Sequence, residues 1–187
     1  FILMKRNFMS KQATLKVLSV LLGIFLLFNT GFMYEVTKSR PSSISLSQNW
    51  IKEHGNAEEK VRFYNAYTPA EEVASAKWLS QYKGNASRIY SDFRARNNAL
   101  NVYAMIPRSE GLVIYSATGS IHKGSYIYLR KLNIAEGLMG GSPKVTGPAD
   151  MFNATTILSS LAQKANKVYS NEGSEVYYAT GFILLEQ

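Results

Sequence analysis

The sequence predicts an α/β protein in two parts: an N-terminal transmembrane helix followed by an extracytoplasmic layered α/β domain with a mixed sheet. Three observations carry this. Residues 17–34, VLSVLLGIFLLFNTGFMY, run eighteen positions without a charge. Downstream of them, helical spacing and strand-like spacing alternate along the chain. Finally, Arg88-Ile89-Tyr90-Ser91-Asp92 and Lys167-Val168-Tyr169-Ser170-Asn171 share one pattern, each following an amphipathic helix after a short polar turn. Two helix–turn–strand units of this kind build a layered sheet in which both strands run parallel. The echo is also compatible with two ordinary strands of similar composition.

The apolar run, extended over residues 13–35, matches the roughly 30 Å hydrocarbon core of a bilayer at about 1.5 Å per residue. It is apolar all round and carries no polar stripe, which separates it from the helix of a soluble core. It is long for a signal-peptide core, and no small-x-small cleavage site follows it. Lys5, Arg6, Lys11 and Lys16 precede it. That excess of positive charge places residues 1–12 in the cytoplasm as a basic segment and residues after about 36 outside, at the cell membrane. The first residue is Phe1, and FILMKRNF reads as the interior of a longer sequence. The expectation is therefore the last span and external domain of a larger, polytopic protein.

The net charge of +8 does not indicate nucleic acid. Six of the 21 Lys/Arg and only one of the 13 acids fall in residues 1–40, so much of the basicity surrounds the anchor, where it meets lipid headgroups. The remainder is nearly balanced and holds no nucleic-acid motif. Cysteine is absent, which excludes thiol chemistry and disulfides, and two histidines far apart do not make a zinc site. No cofactor and no metal are expected.

The elements follow in order. Residues 36–67 read as an exit linker and first extended segments: serine-rich 39–48, charged 49–60, and an aromatic run at 63–67 taken as a strand. The domain proper spans 68–187. Thr68 as cap, Pro69 at the first position and acids at 71 and 72 open a helix that Lys83-Gly84-Asn85 closes. Residues 88–93 read as a strand, 94–106 as a helix stopped at Pro107, and 111–117 and 125–134 as strands. Residues 138–150, with three glycines and two prolines, read as a loop. Residues 153–165 read as a helix, 167–170 as a strand, and 175–185 as an extended stretch at a sheet edge or hairpin return.

Ligands of open α/β sheets bind at the carboxyl ends of parallel strands. Two parallel echo strands would gather Asp92, Arg94, Arg96, Asn97, Asn171 and Glu172 along one rim. A carboxylate, an arginine fork and amides there could grip the hydroxyls or phosphate of a glycan or lipid carrier. Asp92 equally suits a helix cap, and the arginines equally suit solvated surface positions. Glu172 and Glu175 can be drawn as an acid/base pair or as turn residues. His122, in GSIHKGS, reads as a surface residue. GLMGG at 137–141 lacks the Lys-Ser/Thr of a phosphate loop. Asn85-Ala-Ser87 and Asn153-Ala-Thr155 fit the N-glycosylation pattern, and Asn153 fits a helix cap as well.

The phrases LLFNTGFMYEV, PSSISL, EEVASAKWLSQYKGNASRIYSDF, SYIYLRKLNIAEG and KVYSNEGSEVYY, spread over most of residues 17–180, resemble the C-terminal region of a family of uncharacterised, mostly archaeal, multi-spanning membrane proteins. That family is similar in layout to GT-C glycosyltransferases, which use polyprenyl-phosphate-linked sugars. The resemblance implies an accessory external domain, with the bilayer, the upstream membrane part of the same protein and a glycan or polyprenyl-phosphate-linked sugar as partners. The chain has Tyr90-Ser91-Asp92 where oligosaccharyltransferases carry Trp-Trp-Asp, so no catalytic residue is carried over. Two other readings stand beside this one: a single-pass anchored binding domain, and an external hydrolase using Asp92, Glu172 or Glu175.

Overall fold

The computed structural model describes residues 11–30, 32–37, 48–84, 87–116, 118–140, 142 and 151–185. Expectations for residues 1–10, the linker at 38–47, Asn85 of the first glycosylation triplet, and residues 143–150 lie outside these. The chain divides into two compact units, Phe1–His54 and Gly55–Gln187.

In the first unit, α1 (Lys11–Asn29) is followed by α2 (Phe32–Thr37) and α3 (Gln48–His54). None of the residues of α1 is buried, although it is long and apolar enough to cross a membrane. Its polar end turns back on itself. Asn29 Nδ2 donates to the Phe25 carbonyl at 2.9 Å, and Thr30 Oγ1 donates to that of Leu26 at 2.8 Å. These bonds let polar side chains close an apolar helix without unsatisfied groups, the condition that hydrocarbon imposes.

The second unit opens with α4 (Ala57–Ala66) and α5 (Ala70–Tyr82). The run at 63–67, expected as a strand, is helical through Ala66, with Tyr67 as its extended C-cap. Asn56 and Glu59 form a reciprocal capping box, each bond 2.9 Å, and Glu58 pairs with Arg62 one turn on. Val61 and Tyr64 then fall on one buried face, while the Phe63 and Tyr67 rings meet at 5.4 Å with i,i+4 spacing. Helix α5 forms where its spacing places it, but Pro69 stands at the cap in place of Thr68 and contributes no side-chain cap.

A five-stranded mixed sheet follows, in the order β2-β1-β4-β8-β7. Strand β1 (Ile89–Ser91) pairs in parallel with β2 (Gly111–Val113) and β4 (Tyr126–Arg130). β8 (Ser174–Ala179) runs antiparallel to β4, and β7 (Ala165–Asn171) antiparallel to β8. The two echo strands therefore point the same way, with β4 and β8 between them. The stretch from Glu175 begins as the hairpin return, with β8 inside the sheet and β7 at one of its edges. Outside this sheet, β3 (Ser120–Ile121) pairs with β9 (Ile183–Leu184), and β5 (Leu138–Met139) with β6 (Phe152–Asn153).

Alternation along the strands builds two cores. Ile89, Tyr128 and Val176 pack with Ala76 and Leu79 of α5 and with Ala99 and Leu100. Tyr90, Ile127 and Leu129 pack on the other face with Ile157 and Leu161 of α8 (Thr155–Lys164) and with Ile121 and Ile183. Each such aliphatic side chain contributes about 1.5–3 kcal/mol by leaving water. The helix expected at 94–106 forms as a short α6 (Phe93–Ala95) and then a π-helix, Arg96–Tyr103. It ends with Met105 at φ 57°, a left-handed conformation rare outside glycine. The strand expected over 125–134 stops at Arg130 because Asn133 Oδ1 accepts the Arg130 N–H at 2.9 Å, turning the chain into α7 (Lys131–Ala135). The β7–β8 turn passes so close to α5 that a Cβ on Gly173 would lie 2.5 Å from Cβ of Glu71.

Candidate functional site

Strands β1, β4 and β7 all finish on one rim, and there the molecule concentrates its buried charge. Asp92, the residue after β1, is fully buried. Its Oδ1 accepts the Ala95 N–H at 2.6 Å and so caps α6. Its Oδ2 accepts from Arg130 Nε at 2.6 Å and from Asn133 Nδ2 at 3.0 Å. Arg130, the last residue of β4, shares the parity of Tyr126 and Tyr128 and must therefore enter the layer beneath α4 and α5. There Nη1 donates to the Tyr64 carbonyl at 2.5 Å and Nη2 to Asn65 Oδ1 at 2.9 Å. One guanidinium thus joins α4, β1 and β4, with its charge and donors compensated as burial requires.

Glu72 lies beside this pair, 2% exposed. It occupies the first turn of α5, as the sequence reading placed it. Its Oε1 accepts the Lys131 N–H at 3.1 Å. Burial is the largest influence on this carboxyl and pushes it up to about 7, against the opposing pull of Arg130 and the Lys131 hydrogen bond, with Asp92 and Glu71 raising it further. A line of hydroxyls continues from it: Ser174 Oγ to Ser75 Oγ at 2.5 Å, Ser75 Oγ to the Tyr128 hydroxyl at 3.1 Å, and Tyr128 to the Glu72 carbonyl at 2.7 Å. Burial, and next the Glu72 charge, drive the Tyr128 phenol above its ordinary range.

The six rim residues named from sequence are thereby placed. Asp92 and Asn171 share the rim but stand roughly 14 Å apart, three strand spacings of about 4.8 Å. Asn171 shapes the β7–β8 turn, its Oδ1 accepting from the Gly173 and Ser174 N–H groups while Nδ2 donates to the Glu71 carbonyl at 2.9 Å. The Glu172 side chain is exposed, and its carbonyl accepts from Lys131 Nζ at 2.6 Å. Glu175 is engaged by Lys167 and by the Tyr177 hydroxyl, each at 2.6 Å. Arg96 lies over the Phe93 ring, 5.5 Å to its centroid, and Asn97 Nδ2 donates to the Phe93 carbonyl at 2.8 Å. Arg94 and Arg96 are half-buried, and Nε of each lacks a hydrogen-bond partner. Arg130-Lys131 is what connects the two halves of the rim, through Asp92 on one side and Glu172 on the other. Sequence reasoning passed over Arg130, Glu72 and Asn133. The available signal was a charge ending YIYLR in phase with buried tyrosines, which demands an acid close by.

With three donors on its carboxylate and no exposed surface, Asp92 is a structural anchor. Asn153, of the second glycosylation triplet, is exposed and accepts from the N–H and hydroxyl of Thr155 at 2.8 and 2.6 Å, opening α8. Among the described residues, no cluster of three or more His, Asp or Glu is arranged to hold a metal ion.

Comparison with protein families places this arrangement. A family model described as "Predicted membrane protein (DUF2206)" matches residues 1–177. The chain belongs to the DUF2206 family of predicted membrane proteins. No curated protein and no solved structure matches it. Membership in DUF2206 agrees with the exposed apolar surface of α1, and the match also takes in the whole of α5, β1, β4 and β7, so both units belong to the family pattern.

Proposed function

We propose that the chain is a membrane-anchored, non-catalytic unit: α1 crosses the bilayer, residues 1–12 face the cytoplasm, and everything after about residue 36 lies outside as a linker and an accessory α/β domain. The observation that carries the reading is the pairing of an apolar helix without a buried residue with a domain whose buried rim acids, Asp92 and Glu72, are engaged internally. Asp92 is held by Ala95, Arg130 and Asn133 and leaves nothing to offer a substrate. On this reading any glycosyl transfer of the GT-C type, with a polyprenyl-phosphate-linked sugar as donor, takes place in another part of the protein, and the external domain positions partners. A second, interaction-based reading is favoured by one feature. Tyr67, Val102 and Tyr103, all exposed, line an open cleft of about 320 Å³ beside the π-helix.

Because the chain has no cysteine, single cysteines report topology cleanly. Lys77→Cys, on the exposed face of α5, is expected to react with a membrane-impermeant maleimide on intact cells, and Gln12→Cys only after permeabilisation. The reverse pattern, or labelling of both, rejects the anchored topology.

A further inference from the structure

At the opposite rim, where β1 and β4 begin, the chain builds a second feature that neither the resemblance nor the family describes. The turn between β3 and β4 carries His122, Lys123, Gly124 and Ser125, and with Arg88, the residue before β1, these line an open cleft of about 390 Å³. Gly124 adopts φ 80°, which only glycine tolerates well. The turn is pinned at its base: Gly124 N donates to the Ala179 carbonyl and Ala179 N to that of Ser125, both at 2.9 Å. Arg88 is tied to the same base, because its carbonyl accepts the Tyr126 N–H at 2.9 Å. The His122 ring packs edge-on against Phe182 at 5.7 Å.

The charge here is uncompensated. Among the described residues no ion pair involves Arg88, His122 or Lys123, and no acid lines the cleft. Glu110, whose carbonyl accepts the Ile89 N–H at 3.0 Å, has its carboxylate engaged by Lys83. Beside the cations, β9 and the residue before it leave apolar surface open: Phe182 is 50% and Leu184 58% exposed. A rigid turn that presents two permanent cations and an imidazole to an open, acid-free cleft is suited to an anion with several acceptor oxygens.

From this we infer that Arg88, His122 and Lys123 form a binding site for a phosphate-type anion, supplied as a lipid headgroup or as a soluble phosphate. The two cations take the phosphate oxygens, the imidazole supplies a third donor, and Phe182 and Leu184 flank any apolar substituent. The inference concerns residues at the rim opposite Asp92 and does not depend on which side of a membrane the domain occupies.

The two histidines make the test direct, since imidazole NMR signals of the full chain reduce to His54 and His122, assigned with His54→Gln. The full chain, in nanodiscs of phosphatidylcholine, is titrated with inorganic phosphate at constant ionic strength against a chloride control. In a second arm the phosphatidylcholine is supplemented with phosphatidic acid. A saturable shift of His122 with inorganic phosphate supports a soluble phosphate ligand; one seen only with phosphatidic acid supports a headgroup. In either case Arg88→Ala/Lys123→Ala weakens the response about tenfold or more, with the remaining spectrum unchanged. No shift in both arms, a shift that chloride reproduces, or an unaltered response of the double variant overturns the inference. Lys123→Glu alone, at an exposed position, repeats the test should Arg88→Ala disturb β1.

Discussion

The two rims of the same sheet handle charge in opposite ways. Where β1, β4 and β7 end, Asp92, Arg130 and Asn133 are buried and hydrogen-bonded together, with Glu72 buried beside them on the Lys131 N–H. Where β1 and β4 begin, Arg88, His122 and Lys123 stand exposed around a cleft without a counter-charge. General experience with open α/β sheets puts ligands at the carboxyl rim. In this molecule that rim is closed around Asp92 by α4 and α5, whose residues 64, 65 and 72 reach into it, and an exposed cluster of cations lies at the other end. The difference separates two uses of polar residues. A buried pair holds elements together and is costly to break, while an open cluster adds little stability and remains available.

The largest expected effect is therefore Arg130→Met. It leaves the Asp92 carboxylate buried without its cation and strips partners from the Tyr64 carbonyl and Asn65 Oδ1. Removal of one member of a buried pair costs about 3–5 kcal/mol, a large part of the stability of a domain this size. Unfolding of the full chain in detergent by urea, followed through Trp78 in a Trp50→Phe background, measures it. Adding Asp92→Asn should return more than half of the loss. A single variant within about 1 kcal/mol of wild type would mean that the rim is solvated and that the contrast between the two ends fails.

Next in size is the pH dependence set by Glu72. With its carboxyl raised from 4.5 to about 7 in the folded domain, the folded state binds a proton more tightly than the unfolded chain. Stability is consequently full below about pH 4.5, falls as pH rises between 4.5 and 7, and stays low above. The predicted loss is on the order of 3 kcal/mol. Glu72→Gln keeps an acceptor for the Lys131 N–H and removes the titration, so its urea midpoint should change far less between pH 5 and pH 8 than that of the wild type. Asp92, Arg130, Glu71, Lys131, Tyr64 and Tyr128 surround Glu72. An equal slope in the Glu72→Gln protein would assign the effect to one of them.

Sequence reasoning reached the layered α/β class, the apolar helix, α5 and the common direction of the two echo strands, because each rests on local periodicity. It missed α4 because FYNAY reads as a β-type aromatic run, whereas the deciding signals were the Asn56/Glu59 box and the i,i+4 pair of Phe63 and Tyr67. It placed Asp92 on an open rim because the closing residues, Tyr64, Asn65 and Arg130, come from segments 27 to 38 residues away, a separation that no short motif encodes. The π-helical form of Arg96–Tyr103 was equally hidden. Its defining bond, Ala104 N to the Ala99 carbonyl at 3.1 Å, depends on packing against α5 and β1, where the alanines at 95, 99 and 104 are buried. Lys123 went unremarked and His122 passed as a plain surface residue, since their significance lies in Arg88, 34 residues earlier, being brought alongside by the parallel pairing of β1 with β4.

The smallest expected effect completes the comparison. Arg88→Ala/Lys123→Ala removes two exposed cations that neutralise nothing among the described residues, so the urea midpoint at pH 7 should stay within about 0.5 kcal/mol of wild type. The backbone bonds at Gly124, Ser125 and Ala179 do not involve those side chains and persist. Reducing repulsion between like charges can even move the midpoint upward by a few tenths of a kcal/mol, and that gain should fade as salt screens the wild type. A loss above about 1 kcal/mol would instead show that Arg88 or Lys123 supports the fold as Arg130 does. An unchanged midpoint, set beside the collapse of Arg130→Met, is the result in which one end of the sheet holds the domain together and the other is free to bind.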